Sequence, residues 1–181
     1  CLSKAPSFGH AGKVFKSSNA GFTWDTGVAS GITGGSIVSV KKDQVLVGGL
    51  SDGKIAWSTD GSASATTWKT ATPSSGRVQV VADKLDTGGF VYAASGTTAQ
   101  DIKRLAAGST ISTDIFNGTV DGGVTGLALR DGVLNATVFR TSDNESFLYR
   151  TLIPTTAVST TAWSSRDANT STTILTSWLR S

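Results

Sequence analysis

The chain has 181 residues, 38% of them hydrophobic, a formal net charge of +3 and a mean hydropathy close to zero. That suffices for one domain with a buried core and excludes a disordered chain. No stretch approaches the roughly 18 unbroken apolar residues of a membrane helix, and the basic residues are scattered, without the clustered footprint of a nucleic-acid binder.

Residue usage favours strands and turns. Ser and Thr supply 50 residues and Gly 21, whereas Glu occurs once, as Glu145, and Met not at all. Helix formers are scarce, so an all-β protein is expected. Abundant Ser, Thr and Gly with a single Cys suit a secreted or cell-surface protein. The lack of Met reads as processing, or as the observed part of something larger. Cys1 is the only cysteine, so no internal disulfide is available. It admits three readings: a lipid-bearing mature terminus, a fragment boundary, or a thiol paired outside the chain.

Along the chain, the first pattern is Val14-Phe15-Lys16, then Ser17-Ser18-Asn19-Ala20-Gly21-Phe22-Thr23-Trp24. The same order returns as Ile55-Ala56-Trp57, then Ser58-Thr59-Asp60-Gly61, then Thr67-Trp68. Each copy reads as a short apolar strand, a Ser-x-Asn/Asp turn with Gly, and a Thr-Trp that opens the next strand. Weaker copies run from Ile102-Lys103-Arg104-Leu105 to Ile115-Phe116, and from Leu148-Tyr149-Arg150-Thr151 to Ala162-Trp163. Val14, Ile55, Ile102 and Leu148 lie 41, 47 and 46 residues apart; Trp24, Trp68, Phe116 and Trp163 lie 44, 48 and 47 apart. Two separate markers thus keep one period.

Further strands fill each period. Ser36–Lys41, Val78–Ala82 and Val124–Leu129 form one set, and Val45–Gly49, Phe90–Ser95 and Val133–Phe139 the next. Asp43, Asp52-Gly53, Thr87-Gly88-Gly89 and Asp131-Gly132 punctuate them as hairpin turns. Four strands in about 45 residues make a propeller blade. The expected division is the last two strands of a blade in 1–30, whole blades in 31–75, 76–120 and 121–168, and the first strand of another in 169–181, with Thr172–Arg180 as that strand. The propeller is expected to be completed by partner blades or subunits outside the sequence.

The turn has a physical logic. Asn or Asp hydrogen-bonds nearby amides, Gly takes backbone angles closed to other residues, and Trp packs on the blade face. Ser17, Asn19, Gly21, Thr23 and Trp24, with Ser58, Asp60, Gly61, Thr67 and Trp68, resemble the Asp-box, or bacterial neuraminidase repeat. That repeat occurs in sialidases, sortilin-type receptors, xyloglucanases and photosystem-assembly propellers. The resemblance implies a fold and makes these residues scaffolding.

A sialidase-like site would need three arginines, a Tyr/Glu pair and an acidic residue; the seven arginines follow no such pattern, and Glu145 falls in an expected turn, Ser142–Ser146. A xyloglucanase-like site needs two opposed Asp, whereas nearly all of the 12 Asp fall in turns. His10 is alone, so neither a His triad nor a His-rich metal site is available. Asp121-Gly122-Gly123 and Asp131-Gly132 read as turns rather than calcium ligands. No catalytic residue, metal site or cofactor is therefore expected. Lys16, Trp57, Arg104 and Arg150 share one repeat position and form a candidate stripe for an anionic or sugar ligand, or one exposed side of a strand. Four of the five asparagines sit in Asn-x-Ser/Thr sequons: Asn117, Asn135, Asn144 and Asn169. They are candidate glycosylation sites, with Asn144 and Asn169 in expected loops and Asn135 inside an expected strand.

These features point to a non-catalytic extracellular or cell-surface β-propeller module with a structural, adhesion or ligand-binding role in a larger assembly, its partner a glycan or protein. The alternative is a fragment of a glycoside hydrolase whose site is completed by missing blades. A sortilin-like lumenal domain would add a Cys-rich module and a membrane helix, and this sequence contains neither.

Overall fold

The computed structural model describes residues 2–3, 12–96, 101–118 and 122–167. All of its extended elements pair antiparallel within four sheets. The first sheet is β1 (Leu2–Ser3), β2 (Lys13–Lys16) and β3 (Val28–Ala29). The second is β4 (Gly34–Lys41), β5 (Gln44–Gly49), β6 (Ile55–Ser58) and β7 (Lys69–Ala71). The third is β8 (Val78–Ala82), β9 (Phe90–Ser95), β10 (Asp101–Ala106) and β11 (Ser112–Asn117). The fourth is β12 (Gly123–Arg130), β13 (Val133–Arg140), β14 (Glu145–Thr151) and β15 (Ser164–Asp167). Strands follow sequence order in every sheet, so each is an up-and-down blade in a propeller-like arrangement.

The hairpins follow from their turn residues. Arg130 pairs with Val133, leaving Asp131 and Gly132 as a two-residue loop with φ of 50° and 77°. Positive φ at both positions is the turn whose twist matches flanking strands. Lys41 pairs with Gln44 around another two-residue loop, Lys42-Asp43, in which only Asp43 is left-handed, at φ 63°.

Three apolar clusters glue the sheets together. Val14 and Ile32 meet Val45, Val47 and Ala56 between the first and second. Leu46, Ile55 and Trp57 meet Val78, Val91 and Ala93 between the second and third. Tyr92, Ile102 and Phe116 meet Val124, Leu134 and Ala136 between the third and fourth. Because β5 and β6 lie between two layers, every residue in them is buried, as are Val91–Ser95 of β9. Strands covered on both faces read as continuous apolar runs. In β13 the pattern alternates: Leu134, Ala136 and Val138 are buried, while Thr137 is exposed. One face of the fourth sheet is therefore wet.

Single polar bridges set the sheets' mutual alignment. Ser36 Oγ donates to the Val78 carbonyl at 3.0 Å, joining the starts of β4 and β8. Buried Gln44 donates through Nε2 to Asp86 at 3.0 Å and accepts the Leu85 amide at 2.8 Å. Arg104 donates to the Pro154 and Ala157 carbonyls of the next sheet, each at 3.0 Å, and Trp163 Nε1 to the Ile115 carbonyl at 3.0 Å. Like ends meet like ends, so all sheets point the same way.

Some expectations change. The first sheet has a third strand, β1, paired through Leu2 with Lys16 and Ser3 with Phe15. Its last strand begins at Val28, four residues beyond Trp24; Trp68 does directly precede β7. Glu145 opens β14 rather than sitting in the turn, which spans residues 141–144. Cys1, Asp121, Asn169 and Thr172–Arg180 lie outside the described residues.

Gln44→Met tests the bridge between the second and third sheets. It keeps side-chain length but leaves the buried Leu85 amide without an acceptor, which costs about 1–3 kcal/mol. Urea unfolding is expected to show a lowered midpoint at unchanged slope; an unchanged midpoint would mean that the bridge carries no stability.

Candidate functional site

The two Ser-x-Asn/Asp turns are held by dense local hydrogen bonding. In the first, the Ser17 hydroxyl donates to Asn19 Oδ1 at 3.0 Å and accepts the Gly21 amide at 2.8 Å. Asn19 Oδ1 also accepts the Thr23 amide at 2.9 Å, and its Nδ2 donates to the Thr23 hydroxyl at 2.8 Å. In the second, the Ser58 hydroxyl donates to Asp60 Oδ1 at 2.5 Å and accepts the Ser62 amide at 3.0 Å. Asp60 Oδ1 accepts the Ala63 amide at 3.3 Å. A serine hydroxyl thus sits at the hub of each turn, closing a loop of five residues.

The glycines align differently from their sequence order. The left-handed pair is Ala20 (φ 57°) and Gly21 (φ 92°) in the first turn, and Gly61 (φ 70°) and Ser62 (φ 62°) in the second. Gly61 therefore corresponds to Ala20, and Gly21 to Ser62. Each turn places its one glycine at a different member of a pair that strains any side chain. Asn19 and Thr23 are four residues apart, Asp60 and Thr67 seven. The three extra residues fold into a 3-10 turn, Ala65–Thr67, capped by Ser64 accepting the Thr66 amide. The Thr67 hydroxyl donates to the Ser64 carbonyl at 2.8 Å, within that turn.

The tryptophans differ by context. Trp68 packs beside the Val45, Val47 and Ala56 cluster, and Trp163 lies edge-on to Phe116 at 5.2 Å. Trp24, in the first sheet, is 38% exposed.

Lys16, Trp57, Arg104 and Arg150 do not form one exposed stripe. Trp57 is buried in the core between the second and third sheets. Lys16 pairs with Asp43 at 3.3 Å across the first two sheets. Arg104 is committed to two carbonyls and lies 5.5 Å from the Phe90 ring centre. Arg150 lines an open hollow of about 670 Å³ with Leu148, Leu152, Ile153 and Ala162. The shared repeat position faces the following sheet, so in the interior it serves packing between layers.

Of the sequons, Asn144 is exposed at the tip of the 141–144 turn with φ 58°. Asn117 is exposed at the last position of β11, and Asn135 is half-buried in mid-β13, opposite Arg150.

Several charged groups elsewhere are held in local pairs. Lys103 bridges Asp114 at 2.5 Å and Asp101 at 3.5 Å. Arg140 pairs with Asp143 and, at 3.1 Å, with Glu145. Glu145 is thus tied to an arginine beside a turn. Tyr149 belongs to an aromatic group with Phe116 at 4.8 Å, and burial pushes the Tyr92 phenol up to about 12. No group of three or more His, Cys, Asp or Glu positioned for a metal ion occurs among the described residues. Sequence reasoning missed Gln44, whose place beside a hairpin turn carries no apolar signal. Comparison with protein-family models, with curated proteins and with solved structures found no match to this chain.

The Ser58 hydroxyl and then Thr67 hold the Asp60 carboxyl below its ordinary range against the opposing effect of burial, with a lesser contribution from the Ala63 amide. A carboxyl depressed in the folded state stabilises the fold above its unfolded pKa, and that contribution is lost as pH falls through the folded one. Asn stands at this place in the first turn, so Asp60→Asn keeps the turn. Melting temperature is expected to match the wild type near about pH 6 and to fall less steeply below about pH 4. An identical acid slope in both proteins would contradict the role given to this carboxylate.

Proposed function

We propose that the chain is a non-catalytic propeller-like module that works outside the cell or at its surface, with a structural, adhesion or ligand-binding role in a larger assembly. The observation that carries this reading is where the charged side chains go. Asp60 closes a turn, Asp86 and Gln44 bridge two sheets, Lys103 joins neighbouring strands, and Arg104 ties the third sheet to the fourth. Catalytic acids and bases need a shared cleft and separated pKa values, whereas these groups are spent on holding blades and turns. The two serine-centred turns support an Asp-box assignment, in which they are scaffold. The Ser-, Thr- and Gly-rich composition and the four sequons support the extracellular setting.

The intact parent protein, incubated with a panel of sialosides and xyloglucan oligosaccharides, is expected to release no sugar while remaining folded. Turnover that disappears on substitution of an Asp of this chain would overturn the reading in favour of a glycoside hydrolase.

A further inference from the structure

Two repeat positions build the contacts between sheets, one reaching forward and one back. The forward position is the one shared by Lys16, Trp57, Arg104 and Arg150. Lys16 reaches Asp43 of the second sheet. Trp57 enters the core shared with the third, and Arg104 donates to the Pro154 and Ala157 carbonyls of the fourth. Arg150, in the fourth sheet, lines the open hollow with Leu148, Leu152 and Ile153. Among the described residues no fifth sheet follows to fill it.

The backward position is a tryptophan directly before the residue that stands opposite the forward one. Trp68 precedes Lys69, opposite Trp57, and Trp163 precedes Ser164, opposite Arg150. Both lean on the sheet before their own. Trp68 packs on the cluster between the first and second sheets, and Trp163 lies edge-on to Phe116 and donates to the Ile115 carbonyl of β11. Trp24 has the same register, because it precedes Asp25, whose amide donates to the Lys16 carbonyl at 3.0 Å. No sheet precedes the first among the described residues, and Trp24 is 38% exposed. Half-buried Phe15 shares its face, since the next residue along β2, Val14, packs toward the second sheet.

We propose that a second copy of this chain supplies the missing neighbour, the outer face of its first sheet stacking on the outer face of the fourth. The chain carries both halves of a contact that it already makes between its own sheets. Trp163 meets the last strand of the sheet before it, so Trp24, in the same register, meets β15, whose Ser164 and Ser165 wall the hollow. Leu152 and Ile153 give that indole an apolar seat. Around the seat the face is polar: Asn135 stands opposite Arg150 and Thr137 opposite Leu148, with Thr137 bonded to Thr125 at 3.0 Å. An apolar centre in a polar surround suits chains that also exist apart, whereas the contacts within the chain centre on fully apolar clusters. Head-to-tail contacts close into a ring where the rotation allows. Each copy has four sheets, and a pair reaches the upper end of the roughly 4–8 blades of closed propellers. The inference names the partner of the module proposed above and rests on that reading. Sugar turnover by the parent protein would remove the module reading, while a chain that stays single would remove only the self-association.

The test is sedimentation of the full chain over a dilution series. The wild type is expected to form, reversibly, a species of about twice the 18.6 kDa of one chain. Trp24→Asp and Leu152→Asp alter opposite halves of the contact, and each alone is expected to weaken association at least about tenfold. An equal mixture of the two is expected to recover the paired species, because one junction then joins two unaltered halves. Ile111→Asp, on the third sheet with a neighbour on each face, is expected to stay within about twofold of wild type. Circular dichroism checks folding, and Leu152, 64% exposed, keeps the test open should Trp24→Asp not fold. The proposal is overturned if the wild type remains a single chain throughout the series. It is also overturned if Leu152→Asp pairs as well as wild type, or if mixing two folded variants restores nothing.

Discussion

A strand whose every side chain is buried must have a layer against each of its faces. β5, with Val45, Leu46 and Val47, and the Val91–Ser95 stretch of β9 impose that condition on the second and third sheets. Neither sheet is complete alone, because each would leave an apolar face in water. The first sheet covers one side of the second and the fourth covers one side of the third. The repeat period in the sequence is thus the period of a stacking interface.

Apolar contact is non-directional, so the alignment of the blades falls to a few polar bridges. Ser36, Gln44, Arg104 and Trp163 each reach across one interface to a backbone or side-chain partner. Gln44 is the strongest case, because its amide satisfies a backbone group that burial would otherwise leave unpaired. The serine-centred turns act within a blade. They reverse the chain after β2 and β6 and bring Trp68 onto the face that meets the preceding sheet.

Much of the architecture was legible in the sequence, because apolar runs, hairpin residues and the aromatic spacing are local signals that packing did not override. Val78–Ala82 and Phe90–Ser95 form strands over the expected residues. What was not legible depended on layers. Trp57 has the same sequence position as Lys16 and Arg104; all three reach the following sheet, and Trp57 is core because it meets apolar side chains there, whereas Lys16 meets an acid and Arg104 two carbonyls. β1 is two residues long and carries no pattern of its own. The glycine slots of the two turns were misaligned because Ala20-Gly21 and Gly61-Ser62 take the same left-handed pair with the glycine exchanged.

The central claim is that β5 and β9 are interior strands held by neighbours on both faces. Native-state hydrogen exchange tests it most directly. The amides of Leu46, Val47, Tyr92 and Ala93 are predicted to exchange only through global unfolding, with a free energy equal to that from denaturant, while those of β15 exchange through local opening. Exchange in β9 as fast as in β15 would show that the sheets do not cover one another and would contradict the account.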